Sequence, residues 1–147
     1  MANQATVSIS HFGICCSDVQ RSADFYSEAL GFELAVSIDN LGSPFDILME
    51  LPGAELSVRQ MKCGEVTIEL IGYPQGEVVG SAERRPTNQL GFTHMTLVVD
   101  DVDAVAARIA QCGGTVHAQT RIDSHFGPIV FCTDPDGVRI ELMQPPG

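Results

Sequence analysis

The 147 residues suffice for one domain with a substantial core, and a hydrophobic share of 44 % excludes a disordered chain. Nineteen acidic residues against eight basic ones give a formal net charge of −11, so the basic footprint that nucleic acid demands is missing. No apolar run is long enough to span a bilayer, and the opening MANQATVSIS lacks the basic and apolar regions of a secretory signal; the expectation is a cytoplasmic protein without a membrane partner.

In chain order, the first predicted element is a strand through His11, with Phe12, Ile14 and Cys16 on its apolar side. Asp18 is placed to cap a helix whose apolar stripe is Val19, Ala23, Tyr26 and Leu30, and Gly31 to stop it. The connection that follows contains DNLGSPFDILMELPG, read as a short helix and turn. There Phe45, Ile47, Leu48 and Met49 either form an apolar lid over a substrate or cap the core. In the strand VTIELIGYP, Val66, Ile68 and Leu70 share one side, while Thr67 and Glu69 take the other. AERRPTN, from Ala82, is a polar linker, and its Arg84-Arg85 pair is the one local cationic cluster that could serve a polyanion.

From Gly91 to Val99 a second strand is expected, with Thr93, Met95, Leu97 and Val99 on one side and Phe92, His94, Thr96 and Val98 on the other. Asp101 caps a helix carrying Val102, Val105, Ala106 and Ile109, and Gly114 is its predicted stop. His117 is given no role. His125, in HFGPIVF, precedes a strand and either faces a cleft or sits in a solvated loop. DPDG, from Asp134 to Gly137, is a tight turn whose acids are structural. In the last strand Val138, Ile140 and Leu142 oppose Arg139 and Glu141.

These elements form a repeat. A shift of 83 positions lays His11 on His94, Asp18 on Asp101, Ala23 on Ala106 and Gly31 on Gly114. A shift of 72 lays Glu69 on Glu141 and Pro74 on Pro146, so the first half has the longer connection, between Gly31 and Val66. The expectation is a single α+β domain over 1–147 made of two β-α-β-β-β modules with pseudo-twofold symmetry. Module one covers about 6–75, a linker about 76–90, and module two about 91–145. Such symmetry would bring His11, Glu69, His94 and Glu141 into one cleft, where two imidazoles and two carboxylates suit a divalent metal. Five cysteines with no C-x-x-C spacing read as free thiols, not as a disulfide framework or a thiolate zinc site.

The stretches ISHFGICCSDVQRSADFYSEALGFEL, VTIELIGYP, GFTHMTLVVDDVDAVAARIAQCGG and FCTDPDGVRIELMQ cover nearly the whole chain. They resemble the vicinal oxygen chelate superfamily, which includes glyoxalase I, methylmalonyl-CoA epimerase, extradiol dioxygenases and fosfomycin or bleomycin resistance proteins. The resemblance implies a curled mixed sheet around one divalent metal (nickel, cobalt, zinc, manganese or iron), held by His11, Glu69, His94 and Glu141, with no organic cofactor. It also implies a small-molecule substrate and a homodimer.

By that resemblance the chain is a metal-dependent lyase or isomerase of a small carbonyl compound, working through an enolate, with Glu69 or Glu141 as proton carrier. Phe45, Leu48, Met49 and Tyr73 are the candidate substrate contacts. Two departures from glyoxalase I stand out: Cys15 and Tyr73 occupy the positions at which those enzymes carry an Arg and an Asn for glutathione. An epimerase-like racemase is one alternative, with His125 matching a histidine of those enzymes and Glu50 as candidate base. An extradiol dioxygenase is another, with His11, His94 and Glu141 as iron triad and His125 or Tyr73 as acid or base. The non-enzyme alternative is a small-molecule binding or resistance protein.

Overall fold

The computed structural model describes residues 5–147, so the first four residues of the amino-terminal stretch read above lie outside the described range. Module one runs β1 (Phe12–Cys15), α1 (Val19–Leu30), β2 (Glu33–Leu41), α2 (Phe45–Leu48), β3 (Leu56–Cys63) and β4 (Val66–Gly72). Module two runs β5 (Met95–Val98), α3 (Val102–Gln111), β6 (Thr115–Val116), a 3-10 turn (Ala118–Thr120), β7 (Ile122–Ser124), β8 (Gly127–Thr133) and β9 (Arg139–Met143). Each module builds its own mixed sheet, in the orders β1-β4-β3-β2 and β5-β9-β8-β6, with β7 also paired to β8. β1 lies parallel to β4 and β5 parallel to β9; the other pairings are antiparallel. The predicted α+β fold of two repeated modules is observed, with one difference. The 3-10 turn divides the second strand of module two into β6 and β7, whereas β2 is continuous.

The capping residues act as the sequence indicates. Asp18 accepts from the amides of Gln20 and Arg21 at 3.0 Å each, and Asp101 from those of Asp103 and Ala104 at 3.0 and 2.9 Å. These bonds satisfy donors that a helix start leaves open. Gly31 closes α1 in the left-handed region. The second helix corrects the prediction. It ends at Gln111, and the left-handed residue after it is Gly113, at φ +90°, not Gly114. Gly114 is required for another reason. A Cβ there would stand 2.6 Å from the Thr133 carbonyl and from Ile109, and 2.8 Å from the Phe25 ring. The strand predicted from Gly91 is also shorter than expected. Its parallel partner β9 begins at Arg139, and the first registered pair is Met95 with Ile140, so residues before Met95 have no ladder to join.

α1 and α3 pack against the same faces of the two sheets, and one core results. Ala23, Phe25, Tyr26 and Ala29 of α1 meet Val102, Val105, Ala106 and Ile109 of α3, together with Ile68, Leu70, Ile140 and Leu142 from the strands. Arg108 donates to the Ala29 carbonyl at the end of α1. The Asp134–Gly137 turn supplies a polar clamp between the modules. Asp136 accepts from the Ser17 amide at 2.8 Å, the Ser17 hydroxyl at 2.5 Å and Arg21 at 2.7 Å. Asp134 accepts from the buried Tyr26 hydroxyl at 3.0 Å and from the amides of Asp136 and Val138. The acids of this turn are structural, as read. No helix among the described residues is long and apolar enough to cross a membrane.

Two outcomes follow from the clamp and one from the close approach at Gly114. Tyr26→Phe leaves a buried carboxylate oxygen without its donor and is expected to cost about 1–3 kcal/mol in urea unfolding. Gly114→Ala is expected to cost about 1–3 kcal/mol by overpacking. Burial, outweighing the hydrogen bonds it accepts, raises the Asp134 carboxyl above its ordinary range. Such a group favours folding below the unfolded value of about 3.9 and loses that contribution as pH rises through the raised folded value. Asp134→Asn, which is neutral throughout, should therefore gain on the wild type from about pH 4 upward and then level off. Urea midpoints across a pH series measure this; a difference that is flat or opposite in sign contradicts it.

Candidate metal centre

Strand alternation turns Glu69 and Glu141 away from the shared core, and each meets the histidine at the head of the neighbouring parallel strand. His11 Nε2 lies 3.5 Å from Glu69 Oε1, and His94 Nε2 lies 3.8 Å from Glu141 Oε2. The registers match: Gly13 stands opposite Glu69 as Thr96 stands opposite Glu141. A hydroxyl residue precedes each histidine and contacts its other nitrogen, Ser10 at 3.0 Å from His11 Nδ1 and Thr93 at 2.8 Å from His94 Nδ1. This orients Nε2 toward the carboxylate, the arrangement that metal-binding histidines require of their second nitrogen. The repeated Ser10-His11 and Thr93-His94 dipeptides were a signal in the sequence that periodicity alone passes over.

Each carboxylate has one oxygen tied and one facing its histidine. Gln60 Nε2 donates to Glu69 Oε2 at 2.8 Å, and Thr96 Oγ1 donates to Glu141 Oε1 at 3.0 Å. The N···O separations of 3.5 and 3.8 Å exceed a hydrogen bond. Two ligands about 2.0–2.2 Å from a common divalent ion stand roughly 3–3.5 Å apart, so either pair accepts a cation with a shift of a few tenths of an ångström. Nitrogen and carboxylate oxygen on a rigid strand pair fit such an ion chemically. Within one chain the four residues meet as two pairs, not as one quartet. Among the described residues no three His, Cys, Asp or Glu side chains converge on a common point.

The other candidates fall in different places. Met49 and Tyr73 pack with Leu41 on Leu56, Val58 and Ile71, covering part of the outer face of the first sheet beside Glu69. Met49, just past α2, caps this part of the face, while Phe45, Ile47 and Leu48 of α2 itself are exposed. Asp46 ties this segment down by accepting from the Gly53 amide at 2.8 Å. Burial, then the Cys15 thiol, raises the Tyr73 phenol; burial, then Asp136, raises Cys15. Glu50 is exposed in the left-handed region, at φ +59°. His125 is exposed in the turn between β7 and β8 with its ring on Phe126, and it joins neither pair. His117 lies 3.2 Å from the Thr133 hydroxyl. Burial lowers its pKa, and Arg84 and Arg139 add to that. All five cysteines are free thiols.

Phe131 escaped the sequence reading. It stands opposite Glu141 on β8, with its ring 5.3 Å from that of His94 and 5.4 Å from the Arg139 guanidinium.

Residues 8–142 match the family model described as the Glyoxalase/Bleomycin resistance protein/Dioxygenase superfamily. A lactoylglutathione lyase from Escherichia coli O157:H7 is 29 % identical over 138 residues, spanning 91 % of this chain and 90 % of that protein. Among solved structures, a glyoxalase family protein from Bacillus cereus superposes with a TM-score of 0.87 at 18 % identity, covering 100 % of this chain and 99 % of its own. An antibiotic binding protein from Streptomyces sp. reaches a TM-score of 0.62 at 25 % identity, covering 98 % and 100 %. The repeated modules, the matched His–Glu pairs and the extent of the family match agree: the chain belongs to the Glyoxalase/Bleomycin resistance protein/Dioxygenase superfamily.

Proposed function

We propose that the chain is a divalent-metal-dependent lyase or isomerase of a small carbonyl compound, acting through an enolate at a centre completed by a second copy of itself. The observation that carries this is the duplicated pair. His11 with Glu69 and His94 with Glu141 occupy equivalent registers on the outward faces of the two sheets, each spaced for half of a four-ligand site. In a twofold dimer, the pair of module one in one copy faces the pair of module two in its partner, and two equivalent sites result. Exposed apolar side chains accompany these faces, among them Val98 beside His94 and Thr96, and Phe92 near the head of the strand. The likeness to lactoylglutathione lyases supports the lyase class.

His11, Glu69, His94 and Glu141 would hold the ion, which when bound supplies Lewis-acid stabilisation to a developing oxyanion. The protein's own groups then carry the proton. One of the two carboxylates, Glu69 or Glu141, would leave the ion to the remaining ligands and use the oxygen that faces its histidine to accept a proton from the carbon beside the carbonyl and return it to a neighbouring atom. Gln60 and Thr96 hold the other oxygens, so each carboxylate presents one basic edge. The apolar cluster of Leu56, Val58, Ile71, Met49 and Tyr73 walls the first sheet's side of the centre and excludes water there. Cys15 and Tyr73 offer that side a thiol and a phenol in place of a cation and an amide, which argues for a substrate other than a glutathione adduct.

Nickel binding by calorimetry tests the reading. The wild type is expected to bind one ion per chain, and either His94→Ala or Glu69→Ala to weaken this by at least about a hundredfold. Two dead double variants, His11→Ala/Glu69→Ala and His94→Ala/Glu141→Ala, are then mixed after mild dissociation. A shared site regains about a quarter of the wild-type capacity, the statistical yield of one intact site in each mixed dimer. Recovery of none would place all four ligands within one chain, and absence of binding by the wild type would remove the metal centre altogether.

A further inference from the structure

Carboxylates outnumber cations over the chain as a whole, with one local exception. Arg84, Arg85 and Arg139, three of the eight basic residues, line a single cavity of about 430 Å³ between the linker and the outer face of the second sheet. Among the described residues, the arginines paired with carboxylates are Arg21, Arg59 and Arg121; these three are not among them. Arg139 is only 7 % exposed. It donates to the carbonyls of Thr93 and Arg85, its Nε has no partner, and its guanidinium lies over Phe131. Arg85 donates to the Phe92 carbonyl at 2.5 Å.

Bonds to neutral carbonyls fix the guanidinium groups of Arg139 and Arg85 in place but leave their charge uncancelled. A buried cation without a counter-ion is costly, and two more beside it add repulsion. Of the nineteen acidic residues in the chain none lines this cavity, and Glu141, the nearest along β9, is engaged with Thr96 and His94. An oxyanion from outside would, and the planar donor forks of Arg84 and Arg85 match a carboxylate or phosphate group. The hydroxyl of Thr87 and the amide of Asn88 line the same cavity and add neutral donors.

The cavity adjoins the metal-centre pair. Arg139 precedes Glu141 by two residues on β9, so the two side chains share a face roughly 7 Å apart. Phe131, which lines the cavity, touches the His94 ring on its other side. We propose that Arg84, Arg85 and Arg139 form a receptor for a carboxylate or phosphate group carried by the substrate of the His94–Glu141 centre, which makes that substrate an anionic carbonyl compound. The word substrate rests on the function proposed above; the anion site itself does not.

The two are tested separately. Inorganic phosphate is titrated calorimetrically into the metal-free protein at constant ionic strength. One saturable site per chain is expected, weakened roughly tenfold or more in Arg84→Gln and less in Arg84→Lys, which keeps the charge but not the fork. His11→Ala, which removes a proposed metal ligand from the other sheet, is expected to leave phosphate affinity within about twofold. No saturable binding by the wild type, or equal binding by a folded Arg84→Gln, overturns the anion site. 2-Oxoglutarate then examines the link to the substrate, since it carries a distal carboxylate beyond a chelating 2-oxo acid. It should bind the nickel-loaded protein at least about tenfold more tightly than the metal-free protein, and Arg84→Gln should weaken it in both forms. Equal affinity with and without nickel overturns the assignment of the anion to the substrate.

Discussion

The docking of the Asp134–Gly137 turn onto the start of α1 is the constraint from which the rest of the molecule follows. It joins the end of module two to the beginning of module one through Asp136 and Ser17, Asp136 and Arg21, and Asp134 and Tyr26. With the modules held this way, α1 and α3 lie against each other and the helix-bearing faces of both sheets are consumed by one core. Side chains on a strand alternate, so everything the core does not take points outward. The His–Glu pairs accordingly sit on the outer faces of the two sheets, the first of which also carries the smaller apolar cluster of Leu56, Val58 and Ile71.

The repeat is not carried through evenly, and the unevenness is chemical. Opposite Glu69 stand Gly13 and Gln60; opposite Glu141 stand Thr96 and Phe131. The donor that ties each carboxylate comes from β3 in one module and from β5 in the other. Beyond the pairs, the first outer face is covered by Leu56, Val58, Ile71 and the Met49 segment, while the second opens onto three arginines. A cleft formed between such faces is polarised, apolar and neutral on one wall, cationic on the other.

The duplicated modules were legible in the sequence because strand and helix periods are local properties, and the equivalence of His11 with His94 and of Glu69 with Glu141 was legible because the repeat aligns them. What periodicity reports is a direction relative to a residue's own sheet. It does not report how two sheets are set against each other, so four equivalent residues read as one cleft where a single chain holds two pairs. Gly114 was misread for a similar reason: its glycine answers to Thr133 and Phe25, distant in sequence, and not to the helix it follows. Phe131 and Gln60 carried no local pattern that separates a neighbour of a carboxylate from any other strand residue.

The clamp also governs the order of assembly. Tyr26 and Asp134 are 108 positions apart, and Ser17 and Asp136 are 119. A chain made from its amino end completes β1 to β4 long before the residues that seal α1 have been synthesised. Until then the α1 surface carrying Phe25 and Tyr26 has only half of its core. Contacts of such sequence separation must close a long loop before they return any stability, which slows folding and prolongs the exposure of apolar surface. Until the Asp134–Gly137 turn is in place, Ser17, Arg21 and Tyr26 have no partner from the second module, so the seal between the modules is the latest of these contacts that synthesis makes available.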